Sequence, residues 1–419
     1  MTHPSDDRPV KVLMSADTAR HLGMELTRRR LLGLGGSAAL AAFLAACGGD
    51  DDDDDASAPA ATTGTTAPAE TGSAPATEPA SATAAPGGDP EANSFKLFTW
   101  AEYDDPAVME NFGNIEITIY NSNEEAIQAL VTAGGNGGYD MLCPTGVFIP
   151  QLVGEGLLEA LDLSRIPNFK NLDPAYADQP WDPGNKYSVC KDWGTTGWIY
   201  DKTVVQREIK TWQDFIDVAM NEASGAVSVL DSPSNITGMY FWANGIDWNT
   251  TDPAELSAAE DFLVNEFAPH IKAFDSYPGI NLSQGNYVMS MAWNGDARQG
   301  LISVAESGGN TDDYAWAVGA PESELWMDNW CILAGAANLD ACYNFINYIL
   351  DPAVSSQDIN FHGYNTGVLG SREALPADSP FLELVYFTEE EVSRLRAGSL
   401  DNQDAVVDIY NKIKAAAGA

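Results

Sequence analysis

From residue 95 onward, short apolar runs alternate with segments whose apolar residues recur three and four apart. Residues 95–100, 115–120 and 139–143 are apolar runs bounded by turn residues, as buried strands are. Between the second and third, Ser122-Asn123-Glu124-Glu125 opens a helix as a capping box, with Ile127 and Leu130 on one face. Gly134-Gly135-Asn136-Gly137-Gly138 ends it, and lacks the Lys-Ser/Thr that a phosphate loop needs. Residues 151–159 predict a short helix, and 186–200 one long extended stretch. Thr211-Trp212-Gln213-Asp214 caps another helix, residues 225–230 form a strand, and Thr251-Asp252-Pro253 starts a helix running toward Phe267. Further strands are expected at 288–293, 314–320 and 330–334. Helices are expected at 340–350 (stopped by Asp351-Pro352), 388–396 and 401–414. This alternation predicts an α/β fold with largely parallel sheets and ligand chemistry at the strands' carboxyl ends.

The first 93 residues follow another pattern. Thr27-Arg28-Arg29-Arg30 precedes an uncharged stretch, 31–44, that ends in Leu44-Ala45-Ala46-Cys47-Gly48. Fourteen residues at about 1.5 Å each fall short of the ~30 Å hydrocarbon core. Residues 1–46 therefore read as a signal peptide, with Met14 or Met24 as an alternative start. The arginine run resembles a twin-arginine signal. Leu-Ala-Ala-Cys resembles a lipobox, in which Cys47 is acylated. Residues 47–93 hold the aspartate run Asp50–Asp55 and otherwise mostly Ala, Thr, Pro, Ser and Gly, with no aromatic, Lys or Arg. Such a segment buries too little apolar surface to offset its ordering entropy, and is expected to be a disordered tether. A solvated tether is favoured over metal binding by the aspartates.

Charge narrows the function. The chain carries 21 Lys+Arg against 61 Asp+Glu, a net charge of −40. That argues against nucleic-acid binding and disfavours docking on anionic lipid through a basic face. It favours small cations electrostatically, although acidity for solubility alone would look the same. Residues 94–419 are long enough for two domains. Cys143, Cys190, Cys331 and Cys342 permit two disulfides in three connectivities, or four buried thiols. His270 and His362 lack metal-ligand spacing, and no Gly-x-Ser-x-Gly elbow occurs. Enzyme chemistry, a metal and a cofactor are therefore not expected.

Aromatic and acidic residues recur together at the strand ends: Trp100-Ala101-Glu102-Tyr103, Asp231, Trp293-Asn294-Gly295-Asp296, Trp326-Met327-Asp328 and Gly363-Tyr364. Aromatic faces over methylenes with carboxylates on the ammonium heads suit an alkyl ammonium. Taken singly, each is ordinary rim packing.

Several runs carry a resemblance: Phe98-Thr99-Trp100-Ala101-Glu102-Tyr103, Tyr139-Asp140-Met141-Leu142-Cys143-Pro144, Asn168-Phe169-Lys170-Asn171-Leu172-Asp173-Pro174, Asn249-Thr250-Thr251-Asp252-Pro253 and Met291-Ala292-Trp293-Asn294-Gly295-Asp296. With them, residues 95–419 resemble the extracellular solute-binding proteins of spermidine/putrescine ABC importers.

The resemblance implies a two-lobe periplasmic-binding-protein fold (type II like) with a hinge and an interlobe cleft. Lobe 1 is expected at 94–202 plus 327–368, and lobe 2 at 203–326 plus 369–419. The implied partners are a polyamine, a permease and the membrane through lipidated Cys47, on the outer face of the cytoplasmic membrane. Trp100, Glu102 and Tyr103 would form one wall. Trp293 and Trp326 would cover the aliphatic chain, Asp328 would bind an ammonium, and Tyr364 would lie beside it. The family's lobe-2 acidic pair would fall near Ser232 and Asn235, leaving Asp231 as the nearby carboxylate, with Asp296 in compensation. Fewer acids there would favour a shorter diamine or an amine with a polar group. Two other classes remain: a same-fold protein for iron or an organic anion, with Arg298 the nearby cation, and a secreted hydrolase using Glu102 and Asp328.

Overall fold

In the computed structural model of the protein, the described residues are Val12–Leu13 and 93–418. Apart from Val12–Leu13 and Asn93, the expected signal peptide, Cys47 and the tether lie outside them. Two sheets organise the rest. The first contains β1 (Val12–Leu13), β2 (Ser94–Thr99), β3 (Asn114–Ile119), β4 (Met141–Leu142), β5 (Ser188–Gly194), β11 (Ser323–Ile332) and β12 (Leu395–Ala397). Its order is β1-β3-β2-β4-β11-β12, with β5 also on β11. The second contains β6 (Thr196–Asp201), β7 (Val227–Leu230), β8 (Ile271–Asp275), β9 (Met289–Trp293) and β10 (Tyr314–Val318), ordered β10-β6-β9-β7-β8.

Neither sheet is wholly parallel. Strands β2, β3 and β4 run parallel, as do β7, β8 and β9. The antiparallel pairings are those of β5 and β4 with β11, and of β6 with β9 and β10. The exceptions carry the chain between sheets. The extended stretch 186–200 is two strands broken at Thr195, one in each sheet. The lobe change expected at 202 thus lies at 195, because Thr196–Asp201 pairs with β9 and β10. The return runs from β10 in the second sheet to β11 in the first.

Each sheet has its own core. Phe95, Leu97, Trp330, Phe345 and Ile346 belong to the first lobe, and Trp198, Trp212, Phe215, Met239 and Ile409 to the second. The terminal helix Gln403–Ala417 packs on the second. Trp293 packs against both cores.

Asp-Pro pairs start helices throughout. Asp105, Asp252 and Asp351 each accept the N–H two residues on, with proline in the first turn. The expected stop at Asp351-Pro352 is therefore the start of the helix Pro352–His362, which supplies part of the site described below. The expected helix 388–396 divides into the helix Glu389–Ser393 and strand β12. All four body cysteines are buried free thiols.

Candidate ligand-binding site

The site is built around the two places where the chain changes sheet. Strand β11 lies against β5 with Asp328 opposite Asp192 and Trp326 opposite Gly194. Alternation along β11 puts Glu324, Trp326 and Asp328 on one face. The turn after β2 brings Tyr103 over that face, through Glu102 in the left-handed region (φ 53°). The Tyr103 hydroxyl lies within hydrogen-bond distance of both Asp192 Oδ1 and Asp328 Oδ2 (2.8 Å to the latter). One O–H serves one acceptor, so the trio holds an additional proton whenever both contacts are hydrogen bonds. Burial and the Asp192 charge push the Asp328 carboxyl up to about 7. Its Oδ1 is buried without a partner of hydrogen-bond geometry among the described residues.

Beneath lies an ionic network that the sequence reading did not identify. Lys191 Nζ is buried 3.3 Å from Asp104, 3.2 Å from Asp192 and 3.6 Å from Asp358. It sits 4.0 Å above the Tyr103 ring centroid and donates to the Tyr103 carbonyl. Burial alone would lower its pKa, but the three carboxylates outweigh that and keep the ammonium charged. His362 Nδ1 accepts the Tyr364 N–H, which leaves Nε2 to carry the proton, 3.3 Å from Asp358. A charged pair within the buried run 188–194, and Asp358 and His362 at i,i+4, are the signals that could have revealed it.

The Trp293-Asn294-Gly295 run has a structural explanation. Asn294 Oδ1 accepts the N–H of Thr195 at the sheet change, and its Nδ2 donates to the Leu384 carbonyl. Gly295 clears a path for Tyr364, since a Cβ there would stand 2.4 Å from Cε1 of that ring. Tyr364 meets Trp326 edge to face at 4.8 Å and donates from its hydroxyl to Asp296 at 2.6 Å. Burial, with the charges of Asp275 and Glu102, pushes Asp296 up to about 7.

The structure thus brings together Glu102, Tyr103, Asp296, Trp326, Asp328 and Tyr364. Trp293 ends β9, next to Asn294 and cross-strand from Thr196. Trp100 packs edge-on against Tyr120 at 4.5 Å. Asp231 is not brought to the group: it is exposed and paired with Lys414 at 2.8 Å. The acid beside Asn235 comes instead from β11. Glu324 Oε2 accepts from Asn235 Nδ2 at 2.6 Å and from Thr196 Oγ1 at 2.5 Å. Burial raises its pKa against those bonds. Among the described residues no Lys or Arg forms an ion pair with Asp296, Glu324 or Asp328. Such a surface can neutralise a multiply charged organic cation and cover its methylenes.

The family model for bacterial extracellular solute-binding proteins matches residues 107–380. The chain belongs to that family. This solute-binding protein is 28% identical over 335 residues to the spermidine/putrescine-binding periplasmic protein of Escherichia coli, covering 77% of the chain and 92% of the relative. It is 30% identical over 284 residues to a putrescine/cadaverine-binding protein of Pseudomonas aeruginosa, covering 66% and 79%. Among solved structures, a spermidine/putrescine ABC transporter substrate-binding protein from Streptococcus pneumoniae matches with TM-score 0.65 and 26% identity, over 77% of this chain and 99% of that one. The Tp0655 lipoprotein of Treponema pallidum, at 24% identity and TM-score 0.66, shares the fold. The first three of these relatives are named for binding or transport rather than for a reaction.

Proposed function

We propose that this solute-binding protein captures a polyamine between its lobes and hands it to the permease of an ABC importer. In this reading it is held at the outer face of the cytoplasmic membrane by lipidated Cys47 and turns nothing over. The observation that carries the ligand class is the surplus of acid: Asp296, Glu324 and Asp328 gather around Trp326 and Tyr364 without an ion-paired lysine or arginine among the described residues. Buried carboxylates without a counter-charge cost several kcal/mol, which ligand ammonium groups would offset. The names of the relatives point to the same class.

The other classes fit less well. Iron would want free phenolates, yet burial first, and then the adjacent carboxylates, drive the pKa values of Tyr103 and Tyr364 upward. An organic anion would want Arg298, which is buried and donates to the Pro380 and Asn360 carbonyls.

Thermal melts of the purified protein in a ligand panel test this reading. At about a hundredfold excess over Kd, putrescine, spermidine or spermine should raise Tm by roughly 5 °C. Amino acids, citrate and ferric citrate should leave it unchanged. A shift with the anions and none with any amine would overturn the proposal.

A further inference from the structure

We propose that Glu324 is the second cation anchor of the site and the residue that sets ligand length. This rests on the polyamine reading and assigns it a residue. Glu324, Trp326 and Asp328 share one face of β11 in an acid–aromatic–acid alternation. Four residues of strand put the two acids about 13 Å apart along the backbone. The ring between them is braced edge-on by Tyr364, whose hydroxyl holds Asp296 alongside the same stretch. The order along the site is therefore carboxylate, aromatic face flanked by a carboxylate, carboxylate. That order matches a linear triamine with ammonium groups at both ends and a secondary ammonium inside. A four-carbon diamine is too short to meet Glu324 and Asp328 together.

Both ends are prepared for charge. At one, Asp328 is 6% exposed, and its Oδ1, with the Thr145 hydroxyl nearby, has no partner of hydrogen-bond geometry among the described residues. At the other, Glu324 is held through Oε2 alone, by Thr196 from the second sheet and Asn235 from the helix Pro233–Asn244. Its carboxylate is thereby oriented by the second lobe while its backbone belongs to a strand paired with the first. A ligand bridging Glu324 and Asp328 would be gripped by groups from both sides of the sheet change. Asn235 occupies the position where the resemblance implies an acid, and Glu324 restores that charge from another element.

Equilibrium titrations of the wild-type protein and the E324Q and E324D variants with spermidine and putrescine test this assignment. The wild type should bind spermidine at least tenfold tighter than putrescine. E324Q should lose roughly 30-fold or more for spermidine and less than about threefold for putrescine, collapsing the preference. E324D, which keeps the charge, should keep most of it. Retained putrescine binding by E324Q shows that the variant is folded. An unchanged spermidine-to-putrescine ratio in a folded E324Q overturns the assignment while leaving the polyamine reading intact. No binding of either amine by the wild type overturns both. A series of α,ω-diamines on the wild type needs no variant. Affinity should climb from diaminobutane to diaminooctane by at least about tenfold, and a flat or falling series contradicts the spacing.

Discussion

At the level of single residues, the site's acids differ in what holds their charge. Asp104, Asp192 and Asp358 surround one buried lysine, whereas Asp328 has the Tyr103 hydroxyl and, among the described residues, no ion-paired cation. A carboxyl pushed up to about 7 is one whose ionised form the fold tolerates poorly. Asp328→Asn should therefore abolish polyamine binding, by about 100-fold or more, while leaving Tm at pH 8 unchanged or slightly higher. Titration and a thermal melt of the same sample check both. Retained affinity would remove Asp328 from the site, and a large fall in Tm would make its role structural. Much of this candidate grouping was legible in the sequence, because aromatic and acidic residues at strand ends announce themselves. Lys191 and Asp192 were not, since the reading of 186–200 as one extended stretch gave no face on which to place them. Asp231 was misplaced for a related reason. Sequence order puts it at the end of β7, but its pairing with Lys414, far away in the chain, takes up its charge.

Strands and helices fit their predicted places best where local chemistry decides. The apolar runs at 95–100, 115–120 and 288–293 correspond to β2, β3 and β9, and Gly134 ends its helix in the left-handed conformation. The misses are changes of partner. Nothing local marks Thr195 as the point where one extended stretch leaves a sheet, because that depends on β9 and β11 arriving from elsewhere. The helices Pro233–Asn244 and Asn294–Glu306 were missed because their apolar periodicity is weak and both faces are partly buried. At the sheet change the packing is tight. A Cβ on Gly194 would stand 2.3 Å from Asn294 Oδ1 and 2.4 Å from Trp326 Cζ2. Gly194→Ala should displace Trp326 or break the Asn294–Thr195 bond, costing about 1–3 kcal/mol of stability. Ligand affinity should fall by about tenfold or more. Denaturant unfolding and titration read the two effects, and wild-type values in both would show that the crossing has slack.

At the scale of the molecule, two lobes with separate cores meet where β5 passes to β6 and β10 to β11, and the acids of the site stand at those passages. Capture of a cation there links binding to pH. Asp296 and Asp328, each pushed up to about 7, are largely ionised at pH 8 and largely protonated at pH 6. A polyamine binds the ionised forms, so its affinity should weaken as pH falls through 7, with proton release on binding near neutrality. Without ligand the sign is reversed. These raised carboxyls favour the folded state at low pH, and that contribution is lost as pH rises from about 4 through 7. The most direct measurement is calorimetric titration of the purified protein with spermidine at pH 8 and at pH 6. The account predicts one-to-one binding at micromolar Kd or tighter at pH 8, and at least about tenfold weaker at pH 6. No spermidine binding at pH 8, or an affinity that does not change between the two, would contradict it.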